Sequence, residues 1–96
     1  MAHRILLAED EESLREMISL NLEMEGYHVV SVSDGIQALR KGREERFDLI
    51  ILDVMLPEVD GFSVCESIRL ENETVPVLFL TAKNTSSDRV QGLRLG

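Results

Sequence analysis

The chain has 96 residues, of which 44% are hydrophobic and 29% charged, and its net charge is -8. This suits one globular domain with a modest core and argues against a disordered chain or non-specific nucleic-acid binding by this segment. No apolar run is long enough to span a membrane, no signal peptide opens the chain, and the lone Cys65 cannot form an internal disulfide, so a cytoplasmic location is expected.

Arg4-Ile5-Leu6-Leu7-Ala8 reads as a short buried strand that ends in Glu9-Asp10-Glu11-Glu12. A helix dipole accounts for Glu11 and Glu12, but Glu9 and Asp10 precede the helix. Leu14, Met17, Ile18, Leu22 and Met24 recur at helical spacing as far as Gly26, a left-handed cap. Tyr27 to Val32 alternates in part and reads as an edge strand. Asp34 caps a helix from Ile36 to Arg43, with Ile36, Ala38 and Leu39 inward. Leu49 to Leu52 is a strand buried on both faces; it ends on Asp53, and Pro57 prevents its continuation. Asp60-Gly61 opens a helix from Phe62 to Leu70, with Phe62, Cys65 and Ile68 on one face. Pro76 enters the strand Val77 to Leu80, which runs into Thr81. Asn84-Thr85-Ser86-Ser87 then caps a fourth helix carrying Val90, Leu93 and Leu95.

Strands alternating with helices imply an α/β fold with a doubly wound parallel sheet and right-handed crossovers. The strand order 2-1-3-4 is taken from known sheets of this kind, in which functional groups sit past the carboxyl ends of the strands. Glu9, Asp10, Asp53 and Thr81 all fall on that edge. Crowded carboxylates resist ionisation, and a hard divalent cation such as Mg²⁺ removes the penalty. Beside such a cation Asp53 can act as a nucleophile toward a phosphoryl group, and the Thr81 hydroxyl can bond a phosphoryl oxygen.

Three motifs carry a resemblance. They are Ile5-Leu6-Leu7-Ala8-Glu9-Asp10-Glu11, then Asp48-Leu49-Ile50-Ile51-Leu52-Asp53-Val54-Met55-Leu56-Pro57 with Asp60-Gly61, and Val75-Pro76-Val77-Leu78-Phe79-Leu80-Thr81-Ala82-Lys83. In this order and spacing they resemble the receiver domain of bacterial two-component response regulators, over the whole of residues 1–96. The resemblance implies a flavodoxin-like receiver fold. It makes Asp53 the phosphoacceptor for a sensor histidine kinase and Thr81 the switch hydroxyl. It gives Mg²⁺ to Asp10, Asp53 and the Met55 backbone carbonyl, with Glu9 helping through water. It also implies a phosphoacceptor that assists its own phosphorylation and dephosphorylation, rather than an enzyme. Residues Asp88 to Gly96 are similar to the branch with a winged-helix DNA-binding output domain, so transcription regulation is the expected output.

The family pattern continues with a fifth strand, a lysine that pairs with the phosphoryl group, an aromatic switch residue and a fifth helix. None is present, and Lys83 follows Thr81 too closely to replace that lysine. The expectation is a receiver truncated at its C-terminus, with its output domain absent. Val77–Leu80 would then be an open edge, and self-association through it is expected. Two other readings compete. One is a receiver-like interaction scaffold that is not phosphorylated. The other is an Mg²⁺-dependent aspartyl-phosphate phosphatase, which wants a proton donor where Met55 stands.

Overall fold

The computed structural model describes residues 2–80 and, as backbone, the short strand Leu93–Leu95. The elements are β1 (Arg4–Ala8), α1 (Glu12–Met24), β2 (His28–Val32), α2 (Gly35–Glu44), β3 (Leu49–Asp53), α3 (Gly61–Glu71), β4 (Val77–Leu80) and β5 (Leu93–Leu95). The sheet order is β2-β1-β3-β4-β5. The first four strands are parallel and stand in the expected 2-1-3-4 order, with β2 at the edge.

Period-two alternation divides the strand residues between two faces. Leu6, Ala8, Ile50, Leu52, Val77 and Phe79 join Ala38 of α2 and Val64, Cys65 and Ile68 of α3 in the larger core. Ile5, Leu7 and Ile51 face the other way, against Ile18 and Leu22 of α1. α1 contributes no fully buried residue, and Leu49, Leu78 and Leu80 on its side of the sheet are half-buried. The face under α1 is therefore less completely covered than the face under α2 and α3. Within α2, Ala38 and Leu39 pack inward as expected, but Ile36 is 46% exposed. It sits in the first turn of α2, beside the buried Gly35. Phe62 is also half-exposed, although its ring packs 4.8 Å from that of Phe79.

The helix starts follow local chemistry. Asp34 and Asp60 each accept a hydrogen bond from the backbone three residues on, at Gln37 (2.8 Å) and Ser63 (2.9 Å). α1 begins at Glu12 behind Glu11, whose side chain makes no capping bond. Gly26 takes a φ of 97° where α1 turns back into β2, as a left-handed cap requires.

The C-terminal expectations need correction. Leu93 and Leu95 lie on a strand, not a helix. That strand pairs antiparallel with β4, in register Leu78↔Leu95, Phe79↔Arg94 and Leu80↔Leu93. It is not the parallel fifth strand of the resembled pattern. Three residues of alternating Leu-Arg-Leu carry no periodicity that separates helix from strand, and the open N–H and C=O groups of β4 decide the matter. Val77–Leu80 is therefore not an open edge, which removes the basis for self-association there. Asn84 to Ser87 and Val90 lie outside the described residues.

Two leucines test the core directly. Leu6 is fully buried in the larger core, whereas Leu70 is 86% exposed. Leu6→Ala should cost about 2–5 kcal/mol, and Leu70→Ala should stay within about 0.5 kcal/mol. Urea denaturation midpoints for the two variants check the ranking.

Candidate functional site

Register brings two of the acids together. Ala8 of β1 pairs with Leu52 of β3, so the residues that follow, Glu9 and Asp53, emerge side by side. The Glu9 N–H still bonds to the Val32 carbonyl at 3.1 Å, which extends the strand path by one residue. Asp10 starts the turn into α1. Carboxylate oxygens of Glu9, Asp10 and Asp53 lie within 4.8 Å of one another. Glu9 and Asp53 are each only 1% exposed, while Asp10 is open to solvent.

The hydrogen bonds are few. The Met55 N–H donates to Asp53 Oδ1 at 3.0 Å, and the Glu11 N–H donates to Glu9 Oε2 at 2.9 Å. Glu9 Oε1 is buried and has no hydrogen-bond partner among the described residues. Burial pushes the Glu9 carboxyl from its ordinary 4.5 up to about 8. The Glu11 N–H opposes that rise, and the neighbouring Asp53 and Asp10 add to it.

This donor set fits a hard divalent cation. It offers only oxygen, it concentrates negative charge, and it includes a buried carboxylate oxygen with no protein partner. Cys65 is buried elsewhere, in the larger core, so the set has none of the sulfur that a zinc site of cysteines would use.

The loop after β3 is held as tightly as the acids. A side-chain carbon at Gly61 would lie 2.2 Å from the Asp53 carbonyl oxygen, so only glycine lets α3 start against the end of β3. The Gly61 N–H donates to the Val54 carbonyl at 2.9 Å. Glu58 turns the chain with a φ of 72°, which costs a residue with a side chain roughly 1–2 kcal/mol. The N-terminus of α2 closes the other side, where the Gly35 N–H donates to the Pro57 carbonyl at 3.0 Å.

Of the residues singled out from sequence, the structure brings Glu9, Asp10 and Asp53 together and ties the Met55 backbone to Asp53. The Met55 side chain is 56% exposed. Thr81 and Lys83 lie outside the described residues; Leu80, just before Thr81, is the register partner of Asp53. Sequence reasoning missed Arg15, whose Nη1 donates to the backbone carbonyls of Glu9 (2.9 Å) and Asp10 (3.4 Å). One signal was available: Arg15 is the single basic residue of α1, and it stands among acids.

Fold and site together are a doubly wound sheet with a buried aspartate at the end of β3 and two acids just past the end of β1. The chain matches the response regulator receiver domain over residues 5–96 and belongs to that family. It is 48% identical, over its whole length, to the alkaline phosphatase synthesis transcriptional regulatory protein PhoP of Bacillus subtilis, covering 40% of that protein. It is 42% identical to the probable transcriptional regulatory protein TcrX of Mycobacterium tuberculosis, over 96% of this chain and 39% of that one. It thus spans about 40% of the length of these relatives. Among solved structures it is similar to the receiver domain of the sensor histidine kinase PA1611 from Pseudomonas aeruginosa, which has a magnesium ion coordinated in its active-site cleft. The TM-score is 0.83 and the identity 37%, over 96% of this chain and 80% of that one. The response regulator TrrA of Thermotoga maritima, solved in complex with Mg²⁺ and BeF, gives a TM-score of 0.81 at 34% identity, over 94% of this chain and 76% of that one. Among the described residues, no helix is long and apolar enough to cross a membrane.

The raised Glu9 carboxyl predicts a pH dependence. The folded chain keeps this proton up to about pH 8, whereas the unfolded chain releases it near 4.5. Its contribution is therefore fully present below 4.5 and is lost as pH rises through about 8. Urea midpoints measured with a chelator between pH 5 and 9 should fall more for the wild type than for Glu9→Gln. Parallel pH profiles for the two proteins would show that Glu9 is not the group responsible.

Proposed function

We propose that this domain takes a phosphoryl group from the phosphohistidine of a sensor histidine kinase onto Asp53 and passes the signal to a transcription-regulating output domain. The observation that carries the reading is the buried Asp53 carboxylate, with Glu9 and Asp10 oxygens within 4.8 Å of it. The relatives named as transcriptional regulators, each more than twice the length of this chain, support an attached output domain. A winged-helix DNA-binding domain is the finer proposal for it. Relay from kinase to transcription places the protein in the cytoplasm.

Glu9, Asp10, Asp53 and the Met55 backbone carbonyl are the residues that would hold Mg²⁺. When bound, the ion offsets the negative charge that gathers on the phosphoryl oxygens. The protein's own part is positioning. The Met55 N–H fixes one Asp53 oxygen and with it the plane of the carboxylate. The other oxygen attacks phosphorus in line. The bond from phosphorus to the histidine nitrogen breaks, its electron pair returns to the imidazole, and an aspartyl phosphate remains. In this scheme the Thr81 hydroxyl donates to a phosphoryl oxygen and reports the charge to the rest of the domain. The domain assists its own phosphorylation and dephosphorylation and is not otherwise an enzyme. A phosphatase reading is weaker, because Met55 stands two residues after Asp53 and cannot donate a proton to a leaving group.

Acetyl phosphate with Mg²⁺, followed by intact mass, tests the reading. A single phosphoryl adduct is expected on the wild type and none on Asp53→Asn. Steady turnover of the donor would favour the phosphatase, and an unchanged mass would favour an interaction scaffold. Calorimetric titration tests the cation site separately. Asp10→Ala should weaken Mg²⁺ by about tenfold or more, the loss of at least one charged contact. Glu12→Ala should bind as the wild type does, since Glu12 is exposed in the first turn of α1. Equal losses in the two variants would reject the assignment.

A further inference from the structure

Arg15 is oddly placed. It lies in the first turn of α1, where the helix dipole favours anions and disfavours a cation. Helix stability does not account for it. Glu11 and Glu12 stand four and three residues before it, yet Arg15 makes no ion pair with a carboxylate among the described residues. Instead its Nη1 turns back toward the sheet and donates to the carbonyls of Glu9 at 2.9 Å and Asp10 at 3.4 Å. Those carbonyls precede the first helical hydrogen bond, which runs from the Arg15 N–H to Glu11. One residue thus anchors the helix start through its backbone and the preceding turn through its side chain.

The turn has two other fixings: Glu9 N–H to Val32, and Glu11 N–H to the Glu9 side chain. Neither holds Asp10, which is exposed. The Arg15 contact is the one hydrogen bond described that restrains the Asp10 backbone from the helix side.

We propose that Arg15 is a positioning residue for the divalent-cation site: by bridging the Glu9 and Asp10 carbonyls it fixes the turn that aims their carboxylates at Asp53. This rests on the reading of those three acids as the cation site. Electrostatics alone predicts the opposite sign, because a guanidinium near the site repels a second cation. If charge ruled, removing Arg15 would tighten Mg²⁺ binding. If geometry rules, removing it weakens binding, as the loss of a residue that orients metal ligands does, by about tenfold.

The experiment is an amide-shift NMR titration of the whole chain with Mg²⁺, which also shows whether each variant is folded. Arg15→Ala and Arg15→Lys should both bind about tenfold more weakly than the wild type. Lysine keeps the charge, but its stem is one bond shorter and it lacks the planar guanidinium that sets the direction of the two N–H bonds made by Arg15 Nη1. Wild-type or tighter affinity in Arg15→Lys overturns the proposal, as does wild-type affinity in a folded Arg15→Ala that merely melts earlier. Should Arg15→Ala not fold, Arg15→Lys decides alone. Asp53→Asn separates the two levels. If the wild type shows no saturable shifts, or Asp53→Asn binds equally well, the cation-site reading fails and this proposal falls with it. If Asp53→Asn loses binding and the Arg15 variants do not, only the role of Arg15 is refuted.

Discussion

Two carboxylates buried side by side, with a third at their mouth, are the constraint on which the rest of this structure turns. Burying an anion without a partner is costly, and burying two together is more so. The fold accepts that cost because the sheet leaves no alternative. Once β1 and β3 pair as parallel neighbours in the observed register, Glu9 and Asp53 must emerge together. The raised Glu9 carboxyl and its orphan Oε1 are the local signs of that frustration. Sites that break local rules while the surrounding sequence obeys them are where function is expected.

Close backbone approach keeps the arrangement rigid. Gly61 lets α3 begin against the carbonyl of Asp53 itself, and Gly35 lets α2 begin against the loop that follows. A side-chain carbon at Gly35 would lie 1.8 Å from the Val59 carbonyl oxygen. Two helix starts therefore brace one loop, and that loop carries Met55, whose N–H orients Asp53. On the other side of the site, the turn into α1 is braced by Arg15. The acids are movable only if these contacts move with them.

The two faces of the sheet are unequal. The face under α2 and α3 gathers the larger core, whereas the face under α1 leaves several strand residues half-buried. The site lies at the edge where the two faces meet, between the turn into α1 and the loop into α3.

Much of this was legible in the sequence for a simple reason: strands buried on both faces are short, continuous apolar runs, and Ile5–Ala8, Leu49–Leu52 and Val77–Leu80 are such runs. Their polar ends marked Glu9, Asp10 and Asp53, and Asp34 and Asp60 announced their helices, because capping is a contact between residues three apart. What sequence left open were contacts between residues far apart or without a period. The pairing of Leu93–Leu95 with β4 was settled by the hydrogen-bonding demand of a strand edge. The exposure of Ile36, at a helical spacing that suits the core, was decided by packing. The reach of Arg15 to Glu9 and Asp10 depended on the direction in which the chain enters α1. Local patterns declare which segments are strands and helices; only packing and register decide which backbone groups remain to be satisfied, and by what.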